Sequence, residues 1–373
     1  MPVEADAACA MGKQKKESSL SKVKGFAVSF LLGANVLTLV LLWICCALTW
    51  VDPSLHPRVA AVGLFFPVFL VLNLVFVPLW LIYKARMVIV PVVGMALCGG
   101  YILDYCPIHW GGGEEEGDLK VMTWNCHNMH FYTGDSLALA LDYLKESKAD
   151  VICLQEYGAG ESKYKSLQSD MEAKGYHLES LSQLLLITRF PILSVTPLVL
   201  ESKESNKALM ADLQMGEDTL TVFVVHLESY RLSPDDKEQY GDVLRAPERS
   251  QVEAEVSYLS GKIGLATSYR ARQVKLLMSC LDSLPENRSV LLCGDFNDTP
   301  ISYAYQTVSR RLDNAYRQGG FGVGISFNEK YFPFRIDHVF HSRDWQTQGA
   351  RVDRSMLASD HYPVVAWLRK KAK

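Results

Sequence analysis

"LLCGDFNDTP", residues 291–300, is an apolar run that ends in reactive side chains. Leu291, Leu292 and Cys293 read as a buried strand. Gly294, Asp295, Phe296 and Asn297 close it, and Asp298, Thr299 and Pro300 form a turn. Residues two apart on a strand point to the same side, so Asp295 and Asn297 can address one centre together. A core strand that delivers a carboxylate and a carboxamide to its own end implies a domain whose strand ends do chemistry.

Working outward, strand-like and helix-like segments alternate after residue 118. Strands are expected at 119–127, 149–157, 183–193, 219–229, 289–297, 335–342 and 363–369, all short and rich in Val, Leu and Ile. Helical spacing appears at 136–147, 164–175, 268–284 and 302–312, with Asp135 able to cap the first and Pro300 near the start of the last. The pattern predicts a mixed α/β domain with sheets covered by helices.

The first third of the 373 residues is of a different kind. Residues 26–50 and 59–83 contain no ionisable group that bars membrane insertion and are long enough to span a bilayer; 87–103 is a shorter third candidate. Lys13, Lys15, Lys16, Lys22 and Lys24 precede the first stretch, and Lys84 with Arg86 follows the second. Placing both basic groups in the cytoplasm requires an odd number of crossings. The expected organisation is a basic cytoplasmic tail (1–25), a transmembrane region (26–105), a linker (106–118) containing "GGGEEEGD", and a catalytic domain (119–373) on the extracytoplasmic side of a bacterial-type inner membrane. Asn73 alone reads as an interhelical hydrogen bond. A cleaved signal peptide fits poorly, since a second long span follows directly.

Charge and cysteine content exclude some functions. Residues 114–373 carry a net −6 against +3 before them, which gives no electrostatic footprint for gripping a long polyanion. Arg245, Arg249, Arg270 and Arg272 read as solvated helix and loop charge, with an anion-binding face as the alternative. The nine cysteines show no CxxC pair or Cys/His spacing, so neither a zinc site nor a disulfide framework is indicated.

Polar residues recur at the expected strand ends: Asn125, Glu156, His226, Asp295 with Asn297, Asp337, and Asp360 with His361. Each alone is ordinary strand-end solvation; together on one rim they suit metal-assisted phosphoester hydrolysis. Glu156 and Asp360 are hard oxygen ligands and Asn125 adds a neutral carboxamide, a set for Mg²⁺ or Mn²⁺ rather than zinc. Asp295 can orient or deprotonate water, Asn297 can donate to developing charge, and His226 and His361 can donate to phosphate oxygens, with Asp337 holding His361 in one tautomer.

"TWN" (123–125), "LQE" (154–156), "VVHLES" (224–229), "GDFNDTP" (294–300), "RIDHVF" (335–340) and "SDHYPV" (359–364) resemble, in order, the motifs of the endonuclease/exonuclease/phosphatase superfamily. The resemblance covers roughly 119–369 and implies a four-layered α/β sandwich, deoxyribonuclease-like, after an N-terminal all-α transmembrane region. It implies metal-site roles for Asn125, Glu156 and Asp360, a phosphate-binding role for His226, a water-orienting pair in Asp295 and Asn297, and an Asp337–His361 dyad. Phe296-Asn297-Asp298 and Arg335-Ile336-Asp337-His338 depart from the inositol 5-phosphatase pattern, setting the chain apart from that subfamily.

The expected function is therefore a membrane-anchored, divalent-metal-dependent phosphodiesterase or phosphatase, acting on a lipid head group or a small phosphoester. The alternative is a tethered endonuclease or exonuclease on DNA or RNA. A non-catalytic membrane scaffold is disfavoured, because every matched position keeps a competent side chain. The expected partners are the phosphoester substrate and the lipid bilayer, with no protein partner.

Overall fold

The structure is a computed structural model describing residues 2–110, 117–127, 136–158, 160–203, 207–231, 249–329 and 333–372, with 233, 235, 236, 238 and 245. Two compact units result: Met1–Ala47 with Leu64–Gly99, and Leu48–Gly63 with Gly100–Lys373. The expected linker residues 111–116 and the expected cap Asp135 lie outside the described residues.

The first unit is helical. α1 runs Pro2–Leu48 and α2 Phe66–Lys84, followed by a short 3₁₀ turn, α3 (Ile89–Ala96) and α4 (Gly99–Tyr105). Two stretches are long and apolar enough to cross a membrane, Gly25–Leu48 and Pro57–Ala96. The third apolar stretch does not form one helix over 87–103. It breaks between Ala96 and Gly99, where Gly99 and Gly100 bring poor helix propensity. Asn73 is buried and accepts from Asn35 Nδ2 at 3.0 Å, while Trp80 Nε1 donates to Asn35 Oδ1 at 3.0 Å. These buried amides are satisfied by one another, as packing between apolar helices requires.

The second unit carries two six-stranded sheets. β1 (Leu119–Asn125), β2 (Val151–Gln155), β3 (His177–Leu181), β4 (Leu184–Thr188), β11 (Trp345–Val352) and β12 (Val364–Lys370) form one, in the order β11-β12-β1-β2-β4-β3. β5 (Ile192–Val199), β6 (Lys207–Met215), β7 (Asp218–His226), β8 (Ser289–Asp295), β9 (Asp313–Asn314) and β10 (Asp337–His341) form the other, in the order β5-β6-β7-β8-β10-β9. The expected single strand over 183–193 is in fact two strands in different sheets. Pro191, which offers no N–H, lies in the corner between them.

Period-two alternation divides the apolar residues among three layers of packing. Leu119, Val121, Val222, Val224, Leu291 and Cys293 meet between the sheets. On the outer face of the first sheet, Met122 and Trp124 pack with Ala140 and Leu144 of α5 (Ser136–Glu146) and Leu167 and Met171 of α6 (Gly160–Glu172). On the outer face of the second, Phe223, Val225 and Leu292 pack with Val274 and Leu277 of α7 (Arg249–Asp282) and with Tyr305 and Val308 of α8 (Tyr303–Ser309). The architecture is a four-layered α/β sandwich. α8 is capped by Ser302, whose Oγ accepts from Tyr305 N, and a further short helix, α9, spans Ala315–Gly319.

Packing the sheets face to face places the ends of β1, β2, β7 and β8 on one rim. β1 runs parallel to β2, and β7 parallel to β8 with His226 opposite Asp295. Gly294 is required here: its φ is +152°, and a Cβ would lie 1.9 Å from the Val225 carbonyl oxygen.

Arg270 is not solvated. It is fully buried on α7, with Nε 2.9 Å from Asp298 Oδ2 and Nη1 donating to the Glu228 carbonyl. Arg272 pairs with Glu201 at 2.9 Å, and the Arg249 side chain lies outside the described residues. Neither of the two sequence readings therefore describes Arg270, which ties the turn after β8 to α7.

His338, in β10, is enclosed by Phe296, Tyr305 and Phe340. Burial pushes its pKa down to about 3, with the Arg335 charge adding to the effect. The unfolded imidazole binds a proton that the folded one refuses, so stability should be full above about pH 6.5 and decline below it. Between pH 6.5 and 5 the expected loss from this one group is about 2 kcal/mol. Chemical-denaturant midpoints of the full chain, compared with His338→Gln across that range, check it; parallel pH curves for the two proteins would refute it.

Candidate active site

The strands that end at the rim do so with strained backbone. His127, Glu156 and Asn297 have φ of +46°, +49° and +51°, in the left-handed region that non-glycine residues seldom occupy. Each lies just beyond β1, β2 or β8 and turns its strand's last side chains toward the cleft, the kind of place where strain is retained for function.

Asn125 sits at the centre. Its Nδ2 donates to Glu156 Oε1 at 3.0 Å and to Asp295 Oδ2 at 3.0 Å, and its Oδ1 accepts from the His127 backbone N–H at 2.9 Å. Asp295 is 1% exposed. Its Oδ1 accepts from Asn297 N at 2.7 Å, and its Oδ2 lies 3.3 Å from Asn297 Nδ2, which also donates to the Leu227 carbonyl. His226 Nε2 stands 3.6 Å from Glu156 Oε1 and 3.8 Å from Asp295 Oδ2. That nitrogen is buried with no hydrogen-bond partner among the described residues. A buried, unsatisfied ring nitrogen aimed between two carboxylates is costly to keep and calls for a ligand.

Opposite, His361 Nδ1 is 2.9 Å from Asp337 Oδ2, and His361 Nε2 is 3.9 Å from Asp295 Oδ2. Asp337 also accepts from Ser326 Oγ at 2.7 Å, while Oδ1 of the same carboxylate has no partner among the described residues. Trp124 Nε1 donates to the His361 carbonyl at 2.9 Å, and the Phe327 ring lies 4.8 Å from the imidazole. Burial works against the charge of His361, yet the Asp337 and Asp295 carboxylates hold its pKa up to about 10. Burial, helped by the neighbouring Asp337 charge, pushes the Asp295 carboxyl up to about 6.

The structure thus gathers Asn125, Glu156, His226, Asp295, Asn297, Asp337 and His361 into one connected group. Asp360 is beside it: its Oδ1 is 3.2 Å from His127 Nδ1. Burial opposes the charge of Asp360, but the His127 bond and the nearby His361 hold its pKa below the ordinary value. Sequence reasoning missed His127 and Ser326. His127 stands two positions beyond Asn125, a spacing that could have drawn attention to it. Ser326 belongs to no motif, and only the folded position of its hydroxyl, bonded to Asp337, reveals it.

Asp295, Asp337 and His361 present ligand atoms within 4.8 Å of one another. A metal-bound imidazole must offer a lone pair, whereas both nitrogens of His361 face carboxylates and hold their protons. This trio is a proton-holding relay. The donor set for a hard divalent cation is elsewhere: the Glu156 carboxylate, 22% exposed, and the Asp360 carboxylate, 15% exposed, both reach the cleft surface more than Asp295 does. All are oxygen donors, which fits Mg²⁺ or Mn²⁺. Asn125 turns its amide nitrogen toward the carboxylates, so its oxygen would meet a cation only after the amide rotates.

A search of curated proteins finds no significant match. Among solved structures, the fold is similar to an endonuclease/exonuclease/phosphatase from Beutenbergia cavernae DSM 12333, at 18% identity over 69% of this chain and 72% of that one, TM-score 0.48. It is also similar to a D. rerio TDP2 humanized by 14 mutations, at 15% identity over 68% and 99%, TM-score 0.50. Sphingomyelinase C from Streptomyces griseocarneus aligns at 16% identity over 67% and 98%, TM-score 0.47. Residues 28–105 match a domain of unknown function, DUF8431. Residues 122–361 match the family model described as Endonuclease/Exonuclease/phosphatase family, and they include every polar side chain of the cleft. The chain belongs to the Endonuclease/Exonuclease/phosphatase family.

Proposed function

We propose that this chain is a membrane-anchored, divalent-metal-dependent hydrolase of phosphoester bonds, acting on a lipid head group or another small phosphoester near the bilayer. The observation that carries the reading is the convergence of Asn125, Glu156, His226, Asp295 and His361 from both sheets on one cleft, with His226 Nε2 left unpartnered there.

Each side chain has a task set by its geometry. Asp295, held on one oxygen by the Asn297 backbone N–H and on the other by Asn125, is oriented to take a proton from an attacking water. His226 and the protonated His361 flank it and can donate to the non-bridging oxygens of a phosphoryl group, favouring the more highly charged transition state. Asp337 fixes the His361 ring through Nδ1, so that Nε2 faces the cleft. A divalent cation held by Glu156 and Asp360 supplies Lewis-acid neutralisation of charge on the phosphoryl oxygens.

Membrane anchoring draws support from the unit boundaries. Residues 48–63 and 100–110 belong to the same compact unit as the sandwich. Lys275 pairs with Asp52, and Ser268 Oγ donates to the Pro53 carbonyl at 2.8 Å. The chain therefore leaves that unit near residue 64 and returns near residue 99, as an out-and-back crossing requires. With α1 as a further crossing, the basic N-terminal tail and the catalytic unit fall on opposite sides, and the positive-inside rule makes the tail cytoplasmic. Trp110 (85% exposed), Trp50 and Leu55 lie uncovered on these two segments, as side chains at a membrane interface do. A tethered nuclease is the second reading; the net −6 of residues 114–373 weighs against it.

Purified full chain in detergent or nanodiscs should hydrolyse bis-p-nitrophenyl phosphate with Mg²⁺ or Mn²⁺ and lose that activity in EDTA. Phosphosphingolipid or phospholipid vesicles should be cleaved faster than plasmid DNA or RNA; the reverse order would favour the nuclease reading. No turnover of any of these with either metal would sink the hydrolase reading. Asp295→Ala and His226→Ala should each lower kcat by about 10²-fold or more while leaving thermal unfolding near wild type. Wild-type turnover in both would remove the mechanism. In spheroplasts, Leu55→Cys and Leu357→Cys should both react with a membrane-impermeant maleimide added outside; labelling of only one of the pair would rule out this topology.

A further inference from the structure

Asp104 lies in the last turn of α4, at the end of the third apolar stretch, yet it is only 7% exposed. Its carboxylate accepts from Gln306 Nε2 at 2.9 Å and faces Arg317 Nε at 2.5 Å. Its backbone carbonyl accepts a hydrogen bond from Arg335 Nη2. All four residues belong to the sandwich unit.

From these partners two lines run to the cleft. Gln306 Nε2 also donates to the Pro300 carbonyl at 3.0 Å, closing the turn that starts at Asp295 and Asn297. Arg335 Nη1 donates to the Val323 carbonyl at 2.9 Å, and two residues beyond Arg335 stands Asp337. The stretch that Arg335 clamps at Val323 continues to Ser326, whose hydroxyl bonds Asp337 Oδ2 and accepts from the Ile336 and Asp337 backbone N–H groups. Arg335 is itself 2% exposed, with its guanidinium 4.4 Å from the Tyr316 ring. A buried cation needs compensating polarity. The Asp104 charge, the carbonyl end of α4 and the Tyr316 face supply it.

The geometry points to Asp104 as a positioning residue: the end of the third apolar stretch holds the Asp295–Asn297 turn and the Asp337–His361 pair in register with each other. The membrane-proximal segment is then part of the catalytic apparatus rather than a tether. This inference rests on the hydrolase reading above for its kinetic consequence, but not for its structural one. Asp52 provides the contrast. It joins the other membrane-proximal segment to Lys275 on the exposed side of α7, and its side chain makes no bond to either cleft segment.

The test compares Asp104→Ala, Asp104→Asn and Asp52→Ala in the full chain, in nanodiscs, with bis-p-nitrophenyl phosphate and Mn²⁺. Asp104→Ala should lower kcat about 10-fold or more with KM within about twofold, since a displaced catalytic pair loses rate before it loses binding. Asp104→Asn keeps an acceptor for Gln306 and should fall between that variant and wild type. It carries the comparison if the alanine variant does not fold. Asp52→Ala should leave kcat near wild type. Hydrogen exchange is the readout that needs no turnover: peptides covering 295–306 and 323–341 should exchange faster in Asp104→Ala or Asp104→Asn and not in Asp52→Ala. Unchanged exchange there, unchanged kcat, or an equal kcat loss in Asp52→Ala would overturn the inference. Faster exchange in a wild-type background that turns over nothing would uphold the positioning role and remove only the hydrolase reading.

Discussion

Nδ1 of His361 is bound to Asp337 at 2.9 Å, the other ring nitrogen is 3.9 Å from Asp295, and both carboxylates are shut away from water. Two buried carboxylates so close together repel, and each pays a desolvation penalty. The imidazolium between them offsets both effects, and the same repulsion that raises the Asp295 pKa leaves it poised to accept a proton. Much of the surrounding structure serves to keep that arrangement in place. Trp124 bonds the His361 carbonyl from β1, Ser326 bonds Asp337 from the segment before β10, and Asn297 and Asn125 satisfy the oxygens of Asp295. Remove any of these and a charge is left with fewer partners in a low-dielectric setting, where unmet bonds cost most.

The sandwich explains why residues so far apart in sequence share this cleft. Parallel pairing of β1 with β2 and of β7 with β8 brings four strand ends to one rim, and antiparallel pairing of β10 with β8 sets Asp337 directly opposite Asp295. Packing the sheets face to face through Val121, Cys153, Val224 and Cys293 then closes the two rims on each other. The active side chains come from both sheets, so the inter-sheet core determines the distances between them. A change of volume at those positions acts on the cleft through packing, because interiors are dense and transmit displacement.

Much of this was legible in the chain because the motif-bearing strands are continuous Val/Leu/Ile runs that stop at polar residues. β1, β2, β7, β8 and β12 fall where their composition puts them. β6 did not announce itself: "KALMADLQM" is rich in helix formers, and it is a strand because β5 and β7 pair with both of its edges. β3 and β11 are polar and carry weak alternation, the latter bulged between Thr347 and Gly349. At the cleft, acids and imidazoles were visible as strand-end residues, whereas the direction in which Asn125 turns its amide depends on the His127 N–H that occupies its oxygen. Asp104 was unreadable as anything but a charge at the end of an apolar stretch. Its partners Gln306 and Arg335 lie about 200 and 230 positions away, where no local pattern reaches.

That distance bears on why an anchored hydrolase would place a membrane-proximal residue beneath its own cleft. A domain on a loose leash samples many heights and tilts above a bilayer, and each productive encounter with a surface-bound phosphoester then costs orientational entropy. Here two segments contiguous with the apolar helices, 48–63 and 100–110, are packed into the same unit as the strands that carry the chemistry. Bonds from Asp104 to Gln306 and Arg335 are short and largely buried, so they resist independent movement of the segment and the cleft. A long nucleic acid in solution gains little from such rigidity, since it can present any of many phosphates to a freely moving site. A phosphoester whose depth is set by its own acyl chains gains a great deal. The buried anchoring bonds therefore favour the small or lipid phosphoester on grounds independent of the domain's negative charge.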